Sequence, residues 1–229
     1  MRTDLNEKYR PKRFADFWNQ GGAVQTIIDF LRAGALPKAL FLWGNYGVGK
    51  TSLCYVLTYA LSCLRLNSIE PCGECGGCIH CFDRFMSHFG GGLFLNGNKF
   101  QPEVLDRFVD EATNYQPPDC SNTYLVAIDE FDRMPEKVQE SLLHIVERTP
   151  RTHFVLCANN NKKVSDGIKK RTHELLIAPP TLEQACSALR RIALAEDIKV
   201  SEEQITEIAR ENSCIPRDCL KALQKQIIR

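Results

Sequence analysis

Eight consecutive residues, Gly44-Asn45-Tyr46-Gly47-Val48-Gly49-Lys50-Thr51, fit the pattern G-x-x-x-x-G-K-T. Glycines at these positions let backbone N–H groups turn inward around phosphate oxygens. A helix starting at the end of the loop adds a favourable dipole for an anion. In such a loop the lysine, Lys50, reaches the β- and γ-phosphates of a nucleotide, and Thr51 holds Mg²⁺. Ser52, next in the chain, is grouped with the loop as a nucleotide contact. A second group is acidic: Asp129-Glu130 ends the apolar run Thr123 to Ile128. Asp129 suits the Mg²⁺ shell. Glu130 can polarise an attacking water as a general base, a role worth roughly 10²–10⁴ in rate. Asp132 reads as a surface residue.

The third group is made of cysteines, and their spacing allows two ligand sets. Cys72, Cys75, Cys78 and Cys81 form an even ladder with two residues in every gap. Iron–sulfur runs resemble this but end in a wider gap and a proline, whereas Phe82 follows Cys81. The other set is Cys63, Cys72, Cys75 and Cys78, with eight residues in the first gap and two in the others. Four thiolates around Zn²⁺ make a closed, structural tetrahedron with no open position for chemistry. Cys-Gly-Glu-Cys-Gly-Gly-Cys is too polar to be core, and His80 reads as a loop residue.

These groups need elements to position them. Ala39-Leu40-Phe41-Leu42-Trp43, before the glycine loop, reads as a buried parallel strand. After the loop, Leu53, Val56, Leu57, Ala60, Leu61 and Leu64 lie on one face of a helix. Strands are expected at 39–43, 92–96, 123–128, 153–158 and 173–177. Helices are expected at 22–33, 51–65, 102–114, 136–148 and 182–195, with two more near 202–212 and 216–228. Such alternation implies an α/β fold, a parallel sheet with helices on both faces. Pro179-Pro180 breaks the pattern, and two helix starts beyond it carry capping boxes, Thr181–Gln184 and Ser201–Gln204. The expected division is a nucleotide-binding domain over 1–178, with a metal module at about 63–81, and a helical lid over 179–229.

Composition bounds the class. The chain has 229 residues, 44% hydrophobic and 25% charged, ordinary for a globular protein. No apolar run reaches the length of a membrane span, and the first eight residues lack the apolar core of a signal peptide. The chain has eleven cysteines; five cluster at metal spacing and the others are scattered, which suits a reducing cytoplasm better than a disulfide framework. The net charge of +1 gives no bulk argument for nucleic acid. Lys162, Lys163, Lys169, Lys170 and Arg171 could meet phosphates without reading sequence. The same run reads equally as a solvated charged loop.

Together these motifs resemble the motor region of bacterial clamp loaders, the gamma/tau subunits of DNA polymerase III, which are AAA+ ATPases. The resemblance covers essentially the whole chain. It begins at Tyr9-Arg10-Pro11-Lys12-Arg13-Phe14-Ala15-Asp16-Phe17, similar to the family's Y-R-P-x-x-F-x-D segment. That segment lies against adenine in the family, which puts Tyr9, Arg10 and Pro11 at the base. The set beginning with Cys63 is similar to the family's zinc pattern, which makes Cys81 the spare. Asn159 matches the sensor of the γ-phosphate, and Arg217 the second sensor, laid on the nucleotide by the lid. Arg171 stands where the family has an arginine that reaches the neighbouring subunit's site and acts in trans. Its flanks, Lys170 and Thr172, depart from the family's Ser-Arg-Cys. Val146-Glu147-Arg148-Thr149-Pro150 replaces the usual E-E-P-P.

The resemblance implies ATP, Mg²⁺ and Zn²⁺ as cofactors. It implies other loader subunits, a sliding clamp and primed DNA as partners, and no membrane. The expected activity is ATP hydrolysis, weak in the isolated chain, used to load clamps. Two other readings remain: a loader-derived ATPase that remodels another DNA complex, and a non-hydrolysing nucleotide-binding scaffold. Loader subunits without turnover exist in this architecture, so the intact loop and Glu130 favour a working motor.

Overall fold

Side chains alternate across a strand, and here the alternation builds two cores, one on each face of the sheet. The computed structural model describes residues 4–65, 69–79, 92–99, 103, 124–149 and 152–226. In β1 (Ala39–Trp43), Leu40 and Leu42 join one core while Ala39 and Phe41 join the other. In β3 (Tyr124–Asp129), Leu125 and Ala127 face the first core, and Tyr124, Val126 and Ile128 the second. Val155 and Cys157 of β4 (Thr152–Ala158) lie on the first side, Phe154 and Leu156 on the second. With β2 (Gly92–Asn96) and β5 (His173–Leu176) these strands form one sheet in the order β2-β3-β4-β1-β5. Every neighbouring pair is parallel. The register aligns Trp43 with Ala158 and Leu176, and Asn96 with Asp129. The loops that leave the strand tips therefore share one edge, where ligands of open parallel sheets bind.

The first core is covered by α2 (Ala23–Arg32), through Val24 and Ile27, and α3 (Lys50–Ser62), through Leu53, Val56 and Leu57. On the second lie α4 (Glu136–Arg148), through Leu142, Leu143 and Val146, and α5 (Asp166–Arg171), through Ile168. The short α5 was not expected: the lysine run is helical, capped by the Ser165 hydroxyl, which accepts from Ile168 N–H. The expected helix at 102–114, His80 and Cys81 lie outside the described residues, apart from position 103.

A third core holds α6 (Leu182–Ala195), α7 (Glu202–Glu211) and α8 (Pro216–Lys225) together. Both expected capping boxes are present, on α6 and α7. The N-terminal α1 (Leu5–Lys8), which the sequence groups with residues 1–178, packs here instead. Leu5 is buried in this core, and its N–H donates to Gln224 Oε1 at 3.1 Å. Among the described residues no helix is long and apolar enough to cross a membrane.

Candidate functional site

The loop between β1 and α3 turns so that Lys50 starts the helix and is almost fully buried. Its Nζ donates to Gly44 O at 2.8 Å, Asn45 O at 2.8 Å and Asn159 Oδ1 at 2.9 Å. Burial lowers the amine from its ordinary pKa, opposed by Cys157, Asp129 and Asp132. Thr51 Oγ1 donates to Asp129 Oδ2 at 2.7 Å, and Asp129 Oδ1 accepts from Glu130 N–H at 2.8 Å. Lys50–Asn159 and Thr51–Asp129 are thus two hydrogen-bonded pairs, set side by side because Lys50 and Thr51 are adjacent in the chain. Asp132 is not a free surface residue: its Oδ1 accepts from Asn159 N–H at 3.2 Å and fixes the asparagine from behind.

Glu130 sits at φ 54, a conformation uncommon for a non-glycine residue and frequent at functional sites. Its carboxylate accepts from Asn98 Nδ2 at 2.5 Å and Asn96 Nδ2 at 3.4 Å, and lies 3.4 Å from Arg133. Arg133 also donates to the hydroxyl of Tyr46, in the loop, at 3.1 Å. None of Asn96, Asn98 and Arg133 was singled out by sequence. The signal was available for the asparagines: Asn96-Gly97-Asn98 leaves a strand tip, and that strand pairs with the one ending in Asp129.

These groups line a cleft of about 500 Å³, within the usual range for a small-molecule site. Tyr9, Arg10 and Pro11 line it from the N-terminal segment, Gly47, Val48, Gly49 and Ser52 from the loop and its helix, and Arg217 from α8. A Cβ at Gly47 would lie 2.9 Å from both Arg217 Cβ and Ile215 Cγ2, so α8 rests directly on the loop. The Tyr9 hydroxyl donates to Glu196, beyond α6, and Lys8 Nζ pairs with the same carboxylate at 2.6 Å. Burial, then that carboxylate, pushes Tyr9 up to about 12. Arg171 does not line the cleft. It is exposed on α5, with a loose 3.8 Å ion pair to Glu147.

A second cluster sits at the far end of α3. The sulfurs of Cys63, Cys72, Cys75 and Cys78 lie within 4.8 Å of one another. The Cys72–Cys78 and Cys63–Cys75 distances are both 3.9 Å. A tetrahedron with metal–sulfur bonds of about 2.3 Å has edges of about 3.8 Å, so the donor set fits a tetrahedral thiophilic ion. Backbone N–H groups of Leu64, Cys75 and Cys78 point at sulfur, at 3.3 to 3.4 Å. Burial raises the Cys75 thiol, but the N–H groups of Leu64 and Cys78 and neighbouring thiols outweigh it and bring it down to about 6. N–H groups of Glu74 and Cys75 also lower Cys72. Both shifts favour the thiolate that a metal binds, whereas burial pushes the Cys78 thiol up. By contrast Cys54 and Cys157 meet at 3.4 Å inside the first core, where their mutual contact and burial hold Cys54 as a thiol.

A family model described as "DNA polymerase III, delta subunit" matches residues 19–181. Among curated relatives, DNA polymerase III subunit gamma of Buchnera aphidicola is 24% identical over 97% of this chain and 60% of its own length. DNA polymerase III subunit gamma/tau of Mycobacterium bovis is 27% identical over 96% of this chain and 38% of its own length. Replication factor C small subunit 2 of Pyrobaculum aerophilum is 28% identical over 95% of this chain and 62% of its own length. The chain therefore spans less than two thirds of each of these proteins. The solved Thermotoga maritima RuvB Holliday junction branch migration motor matches with a TM-score of 0.63 at 15% identity, covering 94% of this chain and 64% of that one. That likeness speaks for the fold alone, which is the AAA+ α/β fold expected from sequence.

Proposed function

The chain belongs to the DNA polymerase III delta-subunit family, and from that premise we propose that it is an ATP-hydrolysing AAA+ motor subunit of a clamp loader. In this reading it acts with other loader subunits, in the cytoplasm, to place a sliding clamp on primed DNA. The observation that carries the proposal is the cluster of Lys50, Asn159, Thr51 and Asp129 at the strand tips, beside a cleft that Arg217 borders. The loop amides and Lys50 would bind the phosphates, and Tyr9, Arg10 and Pro11 the base. Thr51 and Asp129 would hold Mg²⁺, which would supply positive charge against the phosphates. Glu130 orients and deprotonates the water, held by Asn96 and Asn98. Asn159 reports the γ-phosphate to Asp132, and residues 179–229 act as the lid through Arg217. The basic run from Lys162 to Arg171 is assigned to DNA phosphates and, for Arg171, to a neighbour's site.

Clamp capture tests this reading. Immobilised sliding clamp, with the other loader subunits present, is expected to retain the chain in ATP and Mg²⁺ and release it once primed DNA triggers turnover. DNA-stimulated turnover with no clamp retention would assign the motor to another DNA complex. Nucleotide binding with no turnover in any assembly would leave a scaffold.

The cysteine cluster supports one structural Zn²⁺ per chain on Cys63, Cys72, Cys75 and Cys78. Such ions can supply roughly 10–16 kcal/mol of apparent binding free energy. Removing the ion is therefore expected to unfold the module while the sheet persists, because among the described residues the module adds only Ile69 to the edge of the first core. Elemental analysis should find zinc lost in Cys63→Ser and kept in Cys81→Ser. The opposite pattern would establish the even ladder.

A further inference from the structure

We infer that Glu70 couples the metal module to the nucleotide cleft, so that metal occupancy sets the affinity for ATP. Glu70 is half-buried two residues before Cys72. Its two carboxylate oxygens accept from the N–H groups of Phe14, at 2.8 Å, and Ala15, at 3.0 Å. These amides open the 3-10 turn Phe14–Asp16, in the segment that carries the proposed base contacts Tyr9, Arg10 and Pro11. Two local side chains also serve this segment. The Asp16 carboxylate accepts from Lys12 and Arg13 N–H, both at 3.0 Å, and Gln20 Nε2 donates to Ala15 O at 2.6 Å and Phe17 O at 2.7 Å. Asp16 and Gln20 fix the shape of the turn. Glu70, 56 residues away in sequence from Phe14, fixes where the turn sits.

The position of the turn matters on both sides. Phe14 is fully buried in the first core, and the Phe17 ring stands so close to the phosphate loop that a Cβ on Gly49 would be 3.2 Å from it. A shift of the turn therefore moves the wall of the cleft at its base end and the packing under the loop together. The metal matters because Cys63 ends α3 and Cys72 follows Glu70 closely. An ion held by both sulfurs would tie Cys72 to the end of α3 and so hold Glu70 against the turn. Without it the carboxylate must find the two amides from a segment no longer tied at its far end. If the docked turn falls to about a tenth of the population, the apparent affinity falls about tenfold.

The inference rests on the nucleotide-binding reading above, and the experiment separates the two. Four samples are compared by titration with a fluorescent ATP analogue: parent and Glu70→Ala, each zinc-loaded and chelator-stripped, with zinc measured in each. The expected result is a loss of about five- to tenfold in Glu70→Ala with zinc retained. Stripping the parent should cause a similar loss, and stripping the variant little more. Amide exchange at residues 9–17 should rise in parallel, which needs no nucleotide. Parent-like affinity in Glu70→Ala, or losses from mutation and stripping that multiply, would overturn the coupling while leaving the ATP site intact. A zinc-loaded parent that binds no ATP would overturn the nucleotide reading and this inference with it.

Discussion

Lys50→Ala should lose ATP binding, and Glu130→Gln should bind ATP like the parent while turnover falls by roughly 10²–10⁴. The two residues are close in the fold but differ in what they touch. Lys50 Nζ is held by two loop carbonyls and Asn159, poised where phosphate oxygens can replace some of those acceptors. Hydrogen bonds to charged groups are worth about 1.5–3 kcal/mol each, so losing two of them weakens binding by at least roughly 100-fold. No hydrogen bond or ion pair joins Glu130 to the loop lysine; the partners of its carboxylate are Asn96, Asn98 and Arg133. A glutamine there is isosteric but cannot take a proton from water. A fluorescent-nucleotide titration beside a phosphate-release assay separates the steps, and circular dichroism checks that Lys50→Ala remains folded. Parent-like hydrolysis by Glu130→Gln would remove it as the general base.

The parts of this site that sequence made legible are the local ones. A glycine loop, its flanking strand and its helix are contiguous, so their chemistry and spacing can be read together, and α3 begins at Lys50 within a residue of expectation. Cys63, Cys72, Cys75 and Cys78 could also be proposed from spacing and resemblance, and the structure brings their sulfurs together. What could not be read depends on contacts between distant segments. Asn96 and Asn98 reach Glu130 only because β2 lies beside β3, and strand order is not written in either strand. Asp132 looks solvated until Asn159 arrives at the tip of β4. Leu5 is one apolar residue in a four-residue helix; no periodicity there reveals that it belongs with α8 in the third core. The lysines after Ser165 read as a loop because charge hid a short helix anchored by the single buried Ile168.

The same distinction, between what one chain holds and what a neighbour must bring, governs the expected rate of the isolated chain. Transfer of the γ-phosphoryl group needs positive charge in the transition state, and an arginine supplied from outside is worth roughly 10³–10⁵ in turnover. Arg171 is suited to be that group. It ends α5 on the surface, away from the chain's own cleft. Its pairing with Glu147, at 3.8 Å between two exposed side chains, belongs to a class worth about 0–1 kcal/mol, so the guanidinium can leave for a stronger anion at little cost. The purified chain is therefore expected to turn over slowly, with rate per chain rising with concentration or with added loader subunits. Mixing two inactive variants gives the sharper readout. Lys50→Ala lacks a site but keeps its arginine, and Arg171→Ala keeps a site but lacks the arginine. Each alone should be inactive, and under conditions that drive assembly the mixture should recover part of the parent rate, because some Arg171→Ala sites then face an intact Arg171. Parent-like turnover by Arg171→Ala in an assembled complex would reduce Arg171 to one charge in a solvated basic run. A dead mixture that still assembles, as measured by native mass, would count equally against action in trans, because it would contain intact sites facing intact arginines and still not turn over.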